Sequence, residues 1–299
     1  MSDNNITVEY KALAFYKTGK THLRDSKILF EAESYSNSIF LLQQSVEMVA
    51  KAYGLMTGVI QIEDVKKIGH KPHKIATNEL MKNKETFGYA ESNLPNIMSV
   101  FPDEIAEGMR EYSNVIANFS KRKFEKLDEE FYLLDNNYVD DLVEGFQDLL
   151  KIPSILQKVN YEEEVTPLIK ETLENIVSEI ESHTGSKPEE FADLLKEENL
   201  NLLIKISGVI VQTLMAKMIY MGQGIMQLSL ITSSHNQPTR YPCPCCYEIP
   251  DNTYNADDVI VNRYPDLITI YENTLSIFDD FFINRSAFAE LDKELQLIL

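Results

Sequence analysis

Cysteine is scarce in this chain and crowded where it occurs: Cys243, Cys245 and Cys246 all fall within the stretch TRYPCPCC at 239–246. A structural disulfide framework wants an even number of cysteines at spread positions, so none is expected. A zinc site takes ligand pairs separated by two to four residues, with a second pair supplied from elsewhere. Cys243-Pro244-Cys245-Cys246 gives shorter gaps and would need His235 as a fourth ligand. No metal and no cofactor is therefore expected. Cys243 and Cys246 do form a Cys-x-x-Cys pair, but it follows a proline-rich loop instead of opening a helix behind a strand.

Glycine and proline are few, 11 of each in 299 residues, which is sparse for a sheet protein with its frequent turns. Positive charge is also short, with 28 Lys and Arg against 47 Asp and Glu and a formal charge of -19. Such a balance disfavours broad non-specific binding to DNA or RNA, which rests on neutralising phosphates. The local exception is KKIGHKPHK, Lys66 to Lys74. The opening MSDNNITVEYKALAFYKTGK puts acids ahead of its apolar residues and contains no long apolar run. It reads as neither a secretion signal nor a transit peptide, and a cytoplasmic location is the expectation. One segment is long enough to span a bilayer, Ile206 to Ile231. Lys217 sits near its middle with Gln212, Gln223 and Gln227 around it, so it reads as a core helix, not a membrane span.

What the chain has in quantity is apolar residues, 44% of the total, set at helical spacing. Tyr35, Ile39, Leu42, Val46, Val49 and Tyr53 step by four and three along one helix face. Before them Ala12, Phe15, Gly19, Leu23, Ser26 and Phe30 trace a second stripe, whose small members allow close approach. The short join at Ala32 to Ser34 predicts an antiparallel helical hairpin. Gly69-His70-Lys71-Pro72 breaks the pattern. Asp103 to Phe119, Glu125 to Leu150, Glu163 to Glu181 and Pro188 to Glu198 read as amphipathic helices. From Leu200 to Leu230 one long helix is expected, central to its bundle, with Leu203, Ile206, Ile210, Leu214, Met218, Met221, Ile225 and Leu228 in line. A last helix follows Asn255, taken as its cap with Asp257 and Asp258 behind. Pro265 either kinks it or marks its true start.

Four motifs in order, SYSNSIFLLQQSVEMVAKAYGL (34–55), GHKPHKI (69–75), QPTRYP (237–242) and YNADDVIVNRYPDLITIYENTLSIF (254–278), resemble the HEPN domain of higher eukaryotes and prokaryotes. Members of that family show a small-residue helix with Gln-Gln-x-x-Glu-x-x-x-Lys, a Gly-His turn, an Arg-Tyr-Pro loop and a closing helix. The resemblance implies an all-α, up-and-down helical bundle of about four core helices. The bundle would comprise 1–80 and 200–284, with 81–199 a helical insertion and 285–299 a helical tail. It further implies a homodimer that engages a nucleotide or RNA. A nucleotidyltransferase would be its partner in a prokaryotic stress, defence or toxin-antitoxin system. No membrane is involved.

The residues expected to carry such binding are Gln44 and Lys51 in the second helix, Lys71, His73 and Lys74 in the basic turn, and Arg240 and Tyr241 in the loop. Gln44, Glu47 and Lys51 lie three and four apart on one face. They form either an exposed ion-paired strip or a polar strip buried between helices. The basic turn either ends one helix and starts the next or meets a phosphate. Ribonucleases of the family carry Arg, four to six residues, then His. Here His235 precedes Arg240, and the spacing after Arg110 ends on Val115, so neither place matches. No catalytic residue is assigned; the alternatives are a divergent metal-independent ribonuclease using His235 and Arg240, or a purely structural interaction protein.

Overall fold

The computed structural model describes residues 7–75, 136–149, 196–210, 216–244 and 247–298, with the single positions 78, 134, 170, 174, 178, 181, 182 and 214. Every regular element among them is helical and none is a strand. The all-α class is therefore what the sparse glycine and proline pointed to. The helices expected at Asp103–Phe119 and most of those at Glu163–Glu181 and Pro188–Glu198 lie outside the described residues, as do Arg110 and Val115. The chain divides into two units, one of Met1–Ala90, Glu111–Gln147 and Met221–Ser276, the other of Glu91–Arg110, Asp148–Tyr220 and Ile277–Leu299.

In the first unit α1 (Val8–Glu31) and α2 (Tyr35–Met56) form the expected hairpin. Thr7 caps α1 by accepting from the Tyr10 amide at 3.2 Å. The turn between them places Glu33 at φ 57. The Ser26 hydroxyl donates to the Ser38 carbonyl at 2.8 Å, and the Ser45 hydroxyl to the Gly19 carbonyl at 2.7 Å. Moving back along one helix thus moves forward along the other, the signature of an antiparallel pair. A Cβ on Gly19 would lie 2.7 Å from Val49 Cγ2 and 3.0 Å from the Ser45 carbonyl oxygen. Gly19→Ala is accordingly expected to cost about 1–3 kcal/mol through forced separation of the helices, read as a lower denaturation midpoint.

Short α3 (Asp64–Ile68) and α4 (Asn136–Leu149) follow. Within the long helix expected from 200 to 230, two helical stretches are described, α5 (Glu197–Ile210) and α6 (Ala216–Ser233). Residues 211–213 and 215, between them, lie outside the described residues. Burial is not uniform along the expected line: Met221, Ile225 and Leu228 are buried, but Leu203 and Met218 are exposed. None of the described helices is long and apolar enough to cross a membrane.

After short α7 (Pro250–Thr253) and α8 (Val259–Asn262), α9 spans Tyr264–Phe278. Pro265 sits in its first turn, so it marks the start and does not kink the helix. The cap assignment shifts: Asp258 accepts from the Ile260 amide at 3.0 Å and caps α8, while Asn255 closes a local turn with the Asp257 amide at 2.8 Å. The two distant stretches of sequence meet through hydroxyls. Tyr264 bonds Ser26 at 2.7 Å, Tyr271 bonds Ser45 at 2.9 Å, and Tyr16 donates to the Leu275 carbonyl at 3.2 Å. Tyr264 and Tyr271 are two helical turns apart, matching the two-turn spacing of Ser38 and Ser45 on α2. Each layer thus places one small residue of α1, one serine of α2 and one tyrosine of α9 together. Burial pushes the Tyr271 hydroxyl far above the ordinary phenol range, so it stays protonated.

In the second unit a π-helical turn, Asp279–Ile283, leads into α10 (Ser286–Ile298). Phe281 meets Phe288 edge-on with ring centroids 5.8 Å apart, and Lys217 pairs with Glu290 at 2.6 Å.

Candidate functional site

The polar strip of α2 is buried, and it converges on one carboxylate. Glu47 is fully buried, and its Oε1 accepts from Lys51 Nζ at 2.7 Å, with the lysine side chain 7% exposed. Glu47 Oε2 meets His70 Nδ1 at 3.1 Å, Gln43 Nε2 at 3.4 Å and Gln44 Nε2 at 3.5 Å. Both oxygens are therefore engaged, as burial of a charge requires. Lys51 Nζ also lies 5.9 Å from the centre of the Phe15 ring, a cation over an aromatic face.

The His70 turn is shaped by Gly69, at φ 59 and ψ -129, a backbone state that side-chain-bearing residues rarely take. It leaves the His70 side chain 63% exposed while Nδ1 reaches the buried Glu47. Lys71 and Lys74 are half-buried on the same turn, and His73 is buried. The His73 amide donates to Ser233 Oγ at 3.4 Å, which ties the turn to the end of α6.

From that end of α6 the chain makes successive turns through 234–240. The Thr239 hydroxyl donates to the His235 carbonyl at 2.6 Å, and the Arg240 and Tyr241 amides both donate to the Gln237 carbonyl, at 3.0 and 3.1 Å. His235 itself is buried, with Nδ1 2.7 Å from the Tyr254 hydroxyl. Burial drives its imidazole down to about 3, so it is neutral at neutral pH. Arg240 is exposed. Its guanidinium lies 5.3 Å from the Phe40 ring centre and 5.0 Å from that of Tyr241, and it donates to the Tyr241 hydroxyl at 2.9 Å. His235 and Arg240 therefore have different partners, one in the interior and one at the surface. Cys243 is half-buried, and its amide donates to the Glu248 carbonyl at 3.0 Å; Cys245 and Cys246 lie outside the described residues. Among the described residues no group of three or more His, Cys, Asp and Glu is placed to hold a metal ion.

These pieces share one helix. Phe40, under Arg240, and Glu47, under His70, are seven residues apart on α2, two turns and about 10 Å along the same face. Gln44 lies between them, one turn beyond Phe40. The expected residues Gln44, Lys51, Arg240 and Tyr241 thus sit around one stretch of α2, with the Lys71–Lys74 turn joined to it through His70. Lys51 and His73 are interior and can only position others.

Sequence reasoning missed Arg263. The tripeptide Arg-Tyr-Pro occurs twice, at 240–242 and again at 263–265. The second copy is fully engaged in structure: Arg263 meets Asp140 at 2.5 Å, Glu144 at 3.1 Å and Asp266 at 3.4 Å, fastening α4 to the start of α9. The repetition itself was the available signal. Arg240 has no such carboxylate partner among the described residues. Comparison with protein-family models, with curated proteins and with solved structures finds no match to this chain.

Proposed function

We propose that the chain is a HEPN-type binding protein that engages a nucleotide or short RNA along the α2 face of its first unit. The observation that carries this reading is the aromatic-flanked Arg240, exposed and without a carboxylate partner among the described residues of a strongly acidic chain, two turns of α2 from the solvent-facing His70 turn. Arginine against aromatic rings presents its outer N–H fork to a phosphate or a base edge. Lys71, Lys74 and Gln44 supply further donors, Tyr241 a stacking face, and Lys51 and His73 support from behind. A homodimer in the cytoplasm, with a nucleotidyltransferase partner in a stress, defence or toxin-antitoxin system, is the wider setting that the resemblance implies.

Calorimetry with mononucleotides and short oligoribonucleotides tests the reading. Arg240→Ala is expected to weaken binding about tenfold, corresponding to one lost charge-assisted contact, and Lys74→Ala by a smaller factor. Helicity should be unchanged in both. Absence of binding by the parent protein would remove the reading.

A further inference from the structure

We infer that His70 is a phosphoryl-acceptor histidine, modified on Nε2 by a donor of the phosphoramidate class, in which phosphorus is bonded to nitrogen. The inference goes beyond the binding reading, since no nucleotide or RNA enters the step. Its basis is the unequal burial of two groups in direct contact. Glu47 is fully buried, yet the imidazole on it is 63% exposed. His70 Nδ1 lies 3.1 Å from Glu47 Oε2, and a carboxylate that already holds Lys51 Nζ at 2.7 Å acts as an acceptor only. The proton of a neutral His70 therefore sits on Nδ1, and Nε2 carries the lone pair.

Histidine is among the side chains that form covalent adducts when a fixed neighbour orients and activates the attacking atom. Glu47 is such a neighbour. Lys51 holds its Oε1, and the amides of Gln43 and Gln44, at 3.4 and 3.5 Å, share Oε2 with the imidazole. The surroundings of the ring also suit the product. Lys71 and Lys74 belong to the same turn, and Lys66 and Lys67 to α3 just before it. The one basic stretch of a chain with a formal charge of -19 thus adjoins the atom that would carry a dianionic group. His73 is buried, and His235 is buried against Tyr254, so neither takes this part.

The step balances with the donor alone. The Nε2 lone pair bonds to phosphorus as the bond between phosphorus and the donor nitrogen breaks. That nitrogen, protonated beforehand, leaves as an amine with the electron pair, so no general acid is required of the protein. The imidazole keeps its proton on Nδ1 and gains a positive charge, one hydrogen bond from Glu47. The carboxylate stabilises that charge as it forms.

The test incubates the full chain with potassium phosphoramidate at neutral pH, followed by ³¹P NMR and by peptide mapping under alkaline conditions, where phosphohistidine survives. In the folded parent the first adduct at His70 should be the Nε2 isomer, formed about tenfold faster than at the same residue of the urea-unfolded chain, the effect of one hydrogen bond to a developing charge. The unfolded chain should give both ring isomers. Glu47→Gln keeps the side-chain volume but not the charge, and should slow the reaction at His70 by about the same tenfold factor and remove the preference for Nε2. A merely structural role for Glu47 would not change the ring isomer. His22→Gln should leave the rate at His70 unchanged. Reaction at Nδ1 in the folded parent, a rate no greater than in the unfolded chain, or a Glu47→Gln protein as fast and as selective as the parent would overturn the inference. The comparison of folded with unfolded parent involves no substitution, so it decides the question even where Glu47→Gln lowers stability.

Discussion

Glu47→Ala is expected to cost about 3–5 kcal/mol of folding stability, because it leaves a buried ammonium without its counter-charge. In the parent Lys51 Nζ is 2.7 Å from Glu47 Oε1, with only 7% of the lysine side chain exposed. Removing the carboxylate leaves that ammonium near the Phe15 ring and strips Gln43, Gln44 and His70 of a shared acceptor. Lys51→Met breaks the same pair from the other end, but the remaining carboxylate keeps His70 and two amide donors, so it should cost less. The double variant Glu47→Leu/Lys51→Met is expected to recover most of the Glu47→Ala loss, since an apolar pair of similar volume often replaces a buried ion pair at little cost. Urea denaturation of the parent, both single variants and the double variant measures the coupling directly. A Glu47→Ala protein with the parental midpoint would mean that Lys51 reaches water in solution.

This pair shows where the sequence was readable and where it was not. Spacing alone placed Gln44, Glu47 and Lys51 on one face of α2, because three- and four-residue steps on a helix fix which side chains are neighbours. It could not say whether that face was covered. Part of the cover is the His70 turn, 23 positions further on, and nothing local to α2 encodes its arrival. The α1–α2 hairpin was legible for the opposite reason. Both stripes, the small residues Gly19 and Ser26 and the short join lie within one run of sequence.

Arg240 and Arg263 separate context from motif still more clearly. The same tripeptide is an exposed loop at one place and a three-carboxylate clasp at the other. Two of those carboxylates, Asp140 and Glu144, come from over a hundred residues away. His235 is a similar case. Its setting, Ser233-Ser234-His235-Asn236-Gln237, reads as a polar surface turn, yet Tyr254 supplies a partner that lets the imidazole go inside. Local polarity describes what a segment would expose by itself, and a partner contributed from elsewhere overrides it.

Burial of His235 makes a second large prediction, of stability lost in mild acid. Desolvation holds its folded imidazole at about 3, against an ordinary value of 6.5. A histidine depressed in the folded state favours folding fully above its unfolded value. As pH falls below 6.5 the unfolded chain takes up a proton that the folded chain refuses, and stability declines until the folded value is reached. Between pH 7.5 and pH 5 this one group should remove about 2 kcal/mol, while most carboxylates are still ionised. The Tyr254 hydroxyl, 2.7 Å from Nδ1, does not offset the loss. Burial pushes that hydroxyl upward too, so it supplies no negative charge to a protonated ring. His235→Gln keeps a polar group that can meet Tyr254 and has no proton to gain, so its stability should change less over the same interval by about that amount. Urea midpoints of parent and variant at the two pH values test the point. Parallel acid losses in the two proteins would place the titrating group elsewhere and show that His235 reaches solvent.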